Sequence, residues 1–442
     1  MYNFRNGYRK WVVLLAALLP LVFSTTAQAV IEGISGAAGT PVFNLRAKSG
    51  HISTGDGSSV LFWGYGDDGG PIGVQYPGPT MMVNEGDLVT VNLVNELSEA
   101  TSIVFPGQEV TASGGVPGLL TREAPPDRLT TVTYTFTANQ PGTFTYYSGT
   151  RPDLQVEMGM VGALIVYPAT ANTAYGDARS AYDYEYLFLL TEMDPLIHDQ
   201  VEFGQMSSVN TATAKPVLWF INGRNGPDTL GNVGDPTLPT QPYNIIPRLN
   251  PGGRLLSRVI GAGRDLHPFH FHGNNFDLIA RDGRFLESAP AAQKNGEVGI
   301  LPDLAVSDFT LTVAPGATYD TIFTWTGKDL GWDIYGDGAT HTCTPDINGF
   351  DFTTYEWCDD HNKPFPVTLP STGDITPGAM YSGSPFLGAA GFLPPGEGGN
   401  NPNSGFFYMW HSHNEREIIN FDIFPGGMLT FLIVEPPNVV IP

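Results

Sequence analysis

Short runs in which apolar and polar residues alternate constrain the fold of this chain more than any other feature. Residues 89–94 and 129–136 alternate in this way, as a strand buried on one face does. Residues 143–147 follow a Pro-Gly turn, and the continuous apolar run at 161–167 suits a strand buried on both faces. Nothing between residues 30 and 168 has convincing helical periodicity. Because 53 Gly and 37 Pro supply abundant turns, the pattern predicts an all-β chain.

The first 29 residues have the character of an export signal. Three cations near the start precede an apolar run at residues 11–23, and a small-x-small pattern ends at Ala29. The sequence therefore predicts cleavage at about Ala29/Val30 and a secreted or periplasmic protein. No later segment is apolar over the length that a membrane span requires, so we expect no span in the mature chain.

The charge of the chain is strongly acidic. The formal net charge is −23, and removal of the signal takes away cations only. Such a surface repels nucleic acid and anionic membranes and favours cationic partners, including metal ions. The same charge also serves solubility alone, which is the simpler interpretation for most of these residues. We expect no nucleic-acid partner.

The strand pattern divides the mature chain into two β domains, at residues 30–170 and 180–442. An irregular insertion at about 326–405 carries the only two cysteines, Cys343 and Cys358. Export favours a disulfide between them, while a metal-binding or reactive pair is the alternative. The oxygen-bearing side chains of the insertion fit no standard calcium loop, and surface solvation is the preferred interpretation. These residues are Asp333, Asp337, Asp346, Asn348 and Asp351.

Five of the nine histidines form two tight clusters, His-Pro-Phe-His-Phe-His-Gly at 267–273 and His-Ser-His at 411–413. Residues two apart on a strand face the same side, so each His-x-His pair presents two imidazoles together. Two such strands side by side would bring four neutral nitrogen ligands to one point, which suits copper or zinc. The alternative is that hydrogen bonds satisfy these histidines. The candidate metal ligands are His270, His272, His411 and His413, with His267 nearby.

At these motifs the sequence resembles the multicopper oxidases, the superfamily of laccases and ferroxidases. The resemblance covers nearly the whole mature chain except the insertion. Its motifs follow in family order at residues 77–80, 83–87, 155–166, 222–224, 267–273, 313–316 and 425–428. The resemblance implies two cupredoxin-like Greek-key β-sandwich or barrel domains and copper as the cofactor. For the two-domain branch of the family it also implies a homo-oligomer, commonly a trimer.

The resemblance assigns only half of the ligands that the family's trinuclear copper cluster needs. The family holds this cluster with four His-x-His pairs, and the second domain matches two of them, at His270, His272, His411 and His413. The matching positions of the first domain carry no histidine. They are occupied by Val104, Pro106, Tyr147 and Gly149.

The mononuclear type 1 copper site of the family is also incomplete. His267 and Met428 match two of its ligands, but Ser412 stands in place of the cysteine and Glu417 in place of the second histidine. A hydroxyl cannot supply the thiolate bond on which blue-copper electron transfer depends. We therefore do not expect four-copper laccase activity.

Two classes of function fit this sequence. The first is an exported protein that holds one type 2-like copper for binding, handling or limited redox chemistry; if active, it would be a copper-dependent oxidoreductase. The second is a structural or cell-surface interaction protein that keeps the cupredoxin scaffold without chemistry. A genuine copper oxidoreductase is a further alternative, as is completion of the cluster by a different chain. The metal content of the purified protein discriminates between these classes.

Overall fold

The computed structural model describes residues 31–243, 245–296, 298–328, 333, 341–363, 406–435 and 439–441. The predicted export signal lies outside the described residues. Among the described residues, no helix is long and apolar enough to cross a membrane.

Eleven strands come from the first part of the chain. They are β1 (Ile34–Ser35), β2 (Val42–Ser53), β3 (Ser59–Asp67), β4 (Met81–Asn84), β5 (Leu88–Asn95), β6 (Thr111–Gly114), β7 (Val116–Pro117), β8 (Arg122–Glu123), β9 (Thr131–Thr137), β10 (Gly142–Tyr147) and β11 (Val161–Tyr167). Each of the four runs selected from the sequence corresponds to a strand, namely β5, β9, β10 and β11.

Nine of these strands form two sheets around one core, which we call the N-terminal sandwich, and β7 and β8 form a separate two-stranded sheet. One sheet has the order β1-β4-β11-β10 and the other has the order β3-β2-β5-β9-β6. Apolar side chains from both sheets meet between them, among them Val91, Tyr134 and Leu164. The side chains of β5 and β9 alternate between buried and partly exposed, which is the pattern expected of a sheet with one face in the core.

The remaining strands follow from Tyr184 onward. They are β12 (Tyr184–Met193), β13 (Leu218–Ile221), β14 (Arg248–Leu249), β15 (Arg254–Gly261), β16 (His267–Phe271), β17 (Phe276–Arg281), β18 (Arg284–Phe285), β19 (Val306–Asp308), β20 (Thr310–Val313), β21 (Thr318–Thr324), β22 (Phe350–Asp351), β23 (Glu356–Trp357), β24 (Phe406–Ser412) and β25 (Leu429–Val434).

Most of these strands form the C-terminal sandwich. One sheet has the order β13-β12-β15-β21-β17-β18 with β19 beside β17, and the other has the order β14-β25-β24-β16-β20. Phe188 from the first sheet packs against Phe269 and Trp410 from the second. The all-β class predicted from the sequence is thereby confirmed. The strands β22 and β23 form a small separate hairpin within the insertion.

The two sandwiches pack directly against each other. A third apolar cluster contains Phe62 and Ile165 from the N-terminal sandwich and Leu189 and Phe220 from the C-terminal one. Across the same boundary, the buried guanidinium of Arg258 donates a hydrogen bond to Thr143, while Glu185 accepts another from it within the C-terminal sandwich. The division at residues 170–180 stays a prediction, because the two sandwiches share a continuous apolar contact.

Within the described ranges, helices are few and short. The α-helices are α1 (Pro152–Gln155) and α2 (Pro195–Glu202), and the 3-10 turns are Ala178–Ser180, Met206–Ser208, Thr211–Thr213, Asp228–Leu230, Ala291–Gln293, Cys358–Asp360 and Glu415–Ile418. The helix α2 was not predicted from the sequence. Its start is nevertheless marked, because Asp194 accepts a hydrogen bond from the N–H of Leu196 and Pro195 occupies the first position.

Candidate metal centre

The two His-x-His motifs lie on neighbouring antiparallel strands of the C-terminal sandwich. In β16 and β24, His270 pairs with His411 and Phe271 with Trp410. Directly opposed residues of an antiparallel pair share a face, so the imidazoles collect on one side of the sheet. Phe271 and Trp410 point the other way, into the core, where their rings lie 4.4 Å apart.

Three imidazoles converge on this face, and we call His270, His272 and His411 the histidine trio. Each offers one ring nitrogen, and these three atoms lie within 4.8 Å of one another. The Nε2 atoms of His272 and His411 are 3.1 Å apart. Nδ1 of His272 is buried and has no hydrogen-bond partner among the described residues. The trio therefore offers several ring nitrogens that the surrounding protein does not fully engage.

Neighbouring groups fix the orientation of two rings of the trio. Nδ1 of His411 lies 2.6 Å from the carbonyl oxygen of Ser412, so Nδ1 carries the proton and Nε2 presents a lone pair. Nδ1 of His270 lies 2.7 Å from the hydroxyl of Thr310 on β20. Hydrogen bonds of this kind orient histidines that ligate metals.

The environment of the trio disfavours protonation. Burial, with the nearby His411 and His270, lowers the pKa of His272 to about 3. Burial also lowers the pKa of His411 to about 4, against a hydrogen bond to Ser412 that acts in the opposite direction. The pKa of His270 is lowered by burial and by His413. All three rings are therefore neutral at physiological pH, which is the state that binds a metal.

His413 lies beside the trio but outside it. Its ring centroid is 4.9 Å from that of His270, yet its side chain is 55% exposed. Its Nδ1 atom lies 3.9 Å from a carboxylate oxygen of Glu415 on the surface. The structure thus brings three of the four predicted imidazoles together and leaves the fourth at the edge.

His267 faces the opposite side of β16. It is three residues from His270, so the alternation of the strand turns its side chain into the sandwich. Nδ1 lies 2.9 Å from Glu417 and Nε2 lies 3.1 Å from Glu192. Ser412 donates a hydrogen bond of 2.6 Å to the same oxygen of Glu417. The structure therefore does not bring His267 to the trio, and both its ring nitrogens are engaged by carboxylates.

This buried cluster of His267, Glu192, Glu417 and Ser412 carries opposite charges. Burial lowers the pKa of His267, but the hydrogen bonds and charges of Glu192 and Glu417 outweigh it and raise the pKa to about 9. His267 is then a cation at neutral pH, and its two N–H groups donate to the glutamates. A protonated imidazole has no lone pair for a metal.

Three of the four positions that the resemblance assigns in the first domain lie close together, namely Val104, Tyr147 and Gly149, and none of them carries an imidazole. Val104 and Tyr147 form an antiparallel bridge, with the N–H of Val104 donating to the carbonyl of Tyr147 at 2.8 Å. A side chain at Gly149 would lie against Val104, since a Cβ there would be 2.7 Å from its Cγ1. The side chains of Val and Gly cannot ligate a metal.

The insertion contains the predicted disulfide and a convergence of side chains that was not predicted from the sequence. Cys343 and Cys358 are bonded to each other. Ring nitrogens of two histidines of the insertion converge on the carboxylate of Glu356. No regular spacing signals this convergence, because it depends on how the insertion folds.

The side chains considered for calcium have other roles in the structure. Asp346 accepts hydrogen bonds from the N–H groups of Asn348 and Phe350, and Asp351 accepts from those of Thr344 and Thr353. These are turn-forming bonds that occupy the carboxylates locally. Asp337 lies outside the described residues.

Comparison with known proteins supports one family. A family model described as multicopper oxidase matches residues 68–171. A 121-residue stretch is 37% identical to copper resistance protein A of Escherichia coli and covers 26% of this chain and 18% of that protein. A 281-residue stretch is 26% identical to copper resistance protein A of Pseudomonas syringae pv. tomato, covering 56% and 42%. The matched regions thus span less than half the length of these relatives.

A solved structure shows the same fold. The blue copper oxidase from Nitrosomonas europaea superposes with a TM-score of 0.52 at 18% identity, covering 89% of this chain and 85% of that one. At this identity the likeness concerns the fold alone. It agrees with the paired sandwiches described above.

Proposed function

We propose that this chain, which belongs to the multicopper oxidase superfamily, binds one copper ion through the histidine trio and serves in copper binding and handling. The observation that carries the proposal is the convergence of three neutral imidazoles, whose ligand atoms lie within 4.8 Å of one another. Imidazole suits copper, and nitrogen sites bind Cu²⁺ more tightly than Zn²⁺. The relatives named copper resistance protein A support a role in copper handling.

The surroundings of the trio fit such an ion. Two Nε2 atoms face each other at 3.1 Å, and Nδ1 of His272 is buried without a hydrogen-bond partner among the described residues. A cation bound between these two rings would take the place of the proton that Nε2 of His272 donates to the lone pair on Nε2 of His411. Copper held by three imidazoles, with an open position, would supply a Lewis-acid and redox centre. The protein holds the rings: Thr310 orients His270, and the carbonyl of Ser412 sets the tautomer of His411.

Two features support a single copper rather than the four of an intact oxidase. The residues that the family resemblance assigns to the type 1 copper are occupied otherwise, because the cationic His267 lies between Glu192 and Glu417 and Ser412 offers a hydroxyl instead of a thiolate. The first-domain positions that the resemblance assigns carry Val104, Pro106 and Gly149, which cannot ligate a metal, and Tyr147, which could do so only unusually. Four-electron reduction of oxygen requires both parts, so the proposed role is binding rather than laccase-type turnover.

The test is the copper content of the full-length protein and of trio variants. The purified protein is expected to hold one copper per chain, with a type 2 electron paramagnetic resonance signal and without intense blue absorption. The double variant His272→Ala/His411→Ala should lose that copper. The control is His51→Ala, an exposed histidine that lies 3.0 Å from Glu202 and far from the trio in sequence. Equal copper in the double variant and the control would overturn the proposal and favour the scaffold alternative.

A variant beside the trio provides a finer test. Thr310→Val removes the hydroxyl next to His270 and keeps the shape of the side chain. Loss of such an orienting partner weakens metal affinity about 10- to 100-fold. Competition with a chelator of known affinity measures the change. An unaltered copper affinity would show that His270 is not a ligand, even if the other two rings are.

The oligomeric state and the cellular location of the protein are predictions. A homo-oligomer, commonly a trimer, is what the two-domain family branch implies. The predicted export signal implies a secreted or periplasmic location. Sedimentation of the mature protein tests the first, and fractionation of expressing cells tests the second.

A further inference from the structure

A second group of potential ligands lies in the insertion, apart from the histidine trio. Nε2 of His341 is 2.6 Å from one carboxylate oxygen of Glu356, and Nδ1 of His361 is 3.2 Å from the other. The two imidazole centroids are 4.9 Å apart. One ligand atom from each of the three residues lies within 4.8 Å of the other two. We propose that these three residues, with Asp333 as a fourth, bind a divalent transition-metal ion of the Zn²⁺ type.

The scaffold of the insertion brings these residues together. The Cys343–Cys358 disulfide joins two segments that are 15 residues apart in sequence. His341 precedes Cys343 by two residues, and Glu356 precedes Cys358 by two, so the crosslink holds the two side chains on neighbouring segments. The hairpin of β22 and β23 adds the pairing of Asp351 with Glu356. A short 3-10 turn after the disulfide then carries the chain to His361, whose N–H donates to the carbonyl of Cys358 at 3.2 Å.

Asp333 arrives from a different part of the insertion. Its Oδ2 atom lies 3.4 Å from Nδ1 of His361. Backbone groups anchor it there, since its N–H donates to the carbonyl of Lys363 at 3.0 Å and its Oδ2 accepts from the N–H of Asn362 at 2.8 Å. Two histidines and Glu356 thus converge, and Asp333 adds a second carboxylate beside His361.

Burial distinguishes this group from ordinary surface pairs. The side chains of Glu356 and Asp333 are 2% and 0% exposed. A buried carboxylate needs a compensating positive charge or a metal, and Glu356 lies beside both imidazoles while Asp333 lies beside that of His361. A divalent cation would balance both carboxylates and use a lone pair from each ring. The other way to balance them is protonation of the histidines, which is the outcome that the test must separate.

The donor set selects the class of ion. Two imidazole nitrogens and two carboxylate oxygens match the ligands of four-coordinate Zn²⁺. The mixture is poor for Ca²⁺, which takes six to eight oxygen ligands. The nearby sulfur atoms belong to the disulfide, so no thiolate is offered to a soft ion such as Cu⁺. The trio, by contrast, offers imidazole alone, and the two sites should therefore differ in metal preference.

The experiment uses the full-length chain in the background His272→Ala/His411→Ala, so that zinc cannot occupy the trio. The chelator-treated protein is titrated with Zn²⁺ in competition with a fluorescent indicator. One equivalent should bind, and Co²⁺ should bind in its place with visible absorption bands of a tetrahedral site. Adding Glu356→Gln or His361→Ala should weaken zinc binding by at least the roughly 10- to 100-fold that follows loss of a supporting residue. His51→Ala in the same background is the control.

Folding of the variants is checked by far-ultraviolet circular dichroism and by the disulfide, which thiol titration measures. Equal zinc affinity in the parent background and in both insertion variants would overturn the proposal. So would the absence of any stoichiometric zinc in the parent, which would identify the group as an ion-pair network with protonated histidines. Because the trio is already removed in this background, the result does not depend on whether the copper proposal is correct.

Discussion

The buried His267 makes the stability of the protein depend on pH in a window where few other groups titrate. Its pKa is raised from the ordinary 6.5 to about 9 by Glu192 and Glu417. A raised pKa in the folded state contributes stability that is fully present below pH 6.5 and is lost as the pH rises through about 9. At 1.36 kcal/mol per pKa unit, the contribution is about 3 kcal/mol. The side chain is fully buried, so solvent does not screen the interaction.

The assay is urea unfolding of the wild type and of His267→Gln at pH values on both sides of this window. The variant is expected to be less stable at neutral pH, because two buried carboxylates lose their cation. The decisive quantity is the difference between the two pH profiles. The wild type should lose about 3 kcal/mol more than the variant as the pH rises from below 6.5 to above 9.

A matched control separates this effect from general titration. His51→Gln removes an exposed histidine that also lies beside a carboxylate, that of Glu202. Its pH profile should follow that of the wild type, because an exposed pair contributes little. Parallel profiles for the wild type and His267→Gln would refute the idea that the two glutamates hold a buried imidazolium.

Two further predictions concern buried charge. The double variant Ser412→Cys/Glu417→His should bind an additional copper with intense blue absorption, because a thiolate and a second imidazole would join His267, whose Nδ1 atom then loses its partner Glu417. A colourless copper-loaded variant would count against this assignment of positions. Arg258→Met should lower the free energy of unfolding by about 3–5 kcal/mol, because Glu185 would lose its buried cation. Urea unfolding measures that loss, and a change below about 1 kcal/mol would contradict it.

The strands could be predicted from the sequence because the order of apolar and polar residues along each strand follows which of its side chains are buried. The alternation at residues 89–94 corresponds to β5, and the continuous apolar run at 161–167 corresponds to β11, whose side chains are buried on both faces. The helix α2 was missed because eight residues are too few for a clear 3.6-residue period. Its start signal, Asp194 before a proline, was present but was not used.

The sequence predicts which side of the strand the imidazoles lie on, but it does not predict which of them converge. The spacing of His270 and His272 fixes that their rings share a side, and only the pairing of β16 with β24 adds His411. The odd spacing of His267 places it on the other side, and this could have been read from the strand period. The exposure of His413 depends on where β24 ends, at Ser412, and the sequence does not mark that end.

The convergence of His341, Glu356 and His361 could not be predicted at all. These residues carry no periodic spacing, and their proximity depends on a crosslink and on a hairpin of two-residue strands. Short hairpins of this kind have little local sequence preference. Two of the acidic residues that the sequence singles out in this segment, Asp346 and Asp351, instead close turns.

Because β16 places successive side chains on opposite sides of the sheet, the imidazole side and the sandwich side of this strand can be changed independently. Substitutions at His267 leave the rings of His270 and His272 anchored by their own neighbours. A deletion of one residue before His270 would instead exchange the two sides of the strand. The imidazoles would then enter the apolar interior, and the phenylalanines would face outward. Engineering of this strand should therefore preserve its length and vary one side at a time.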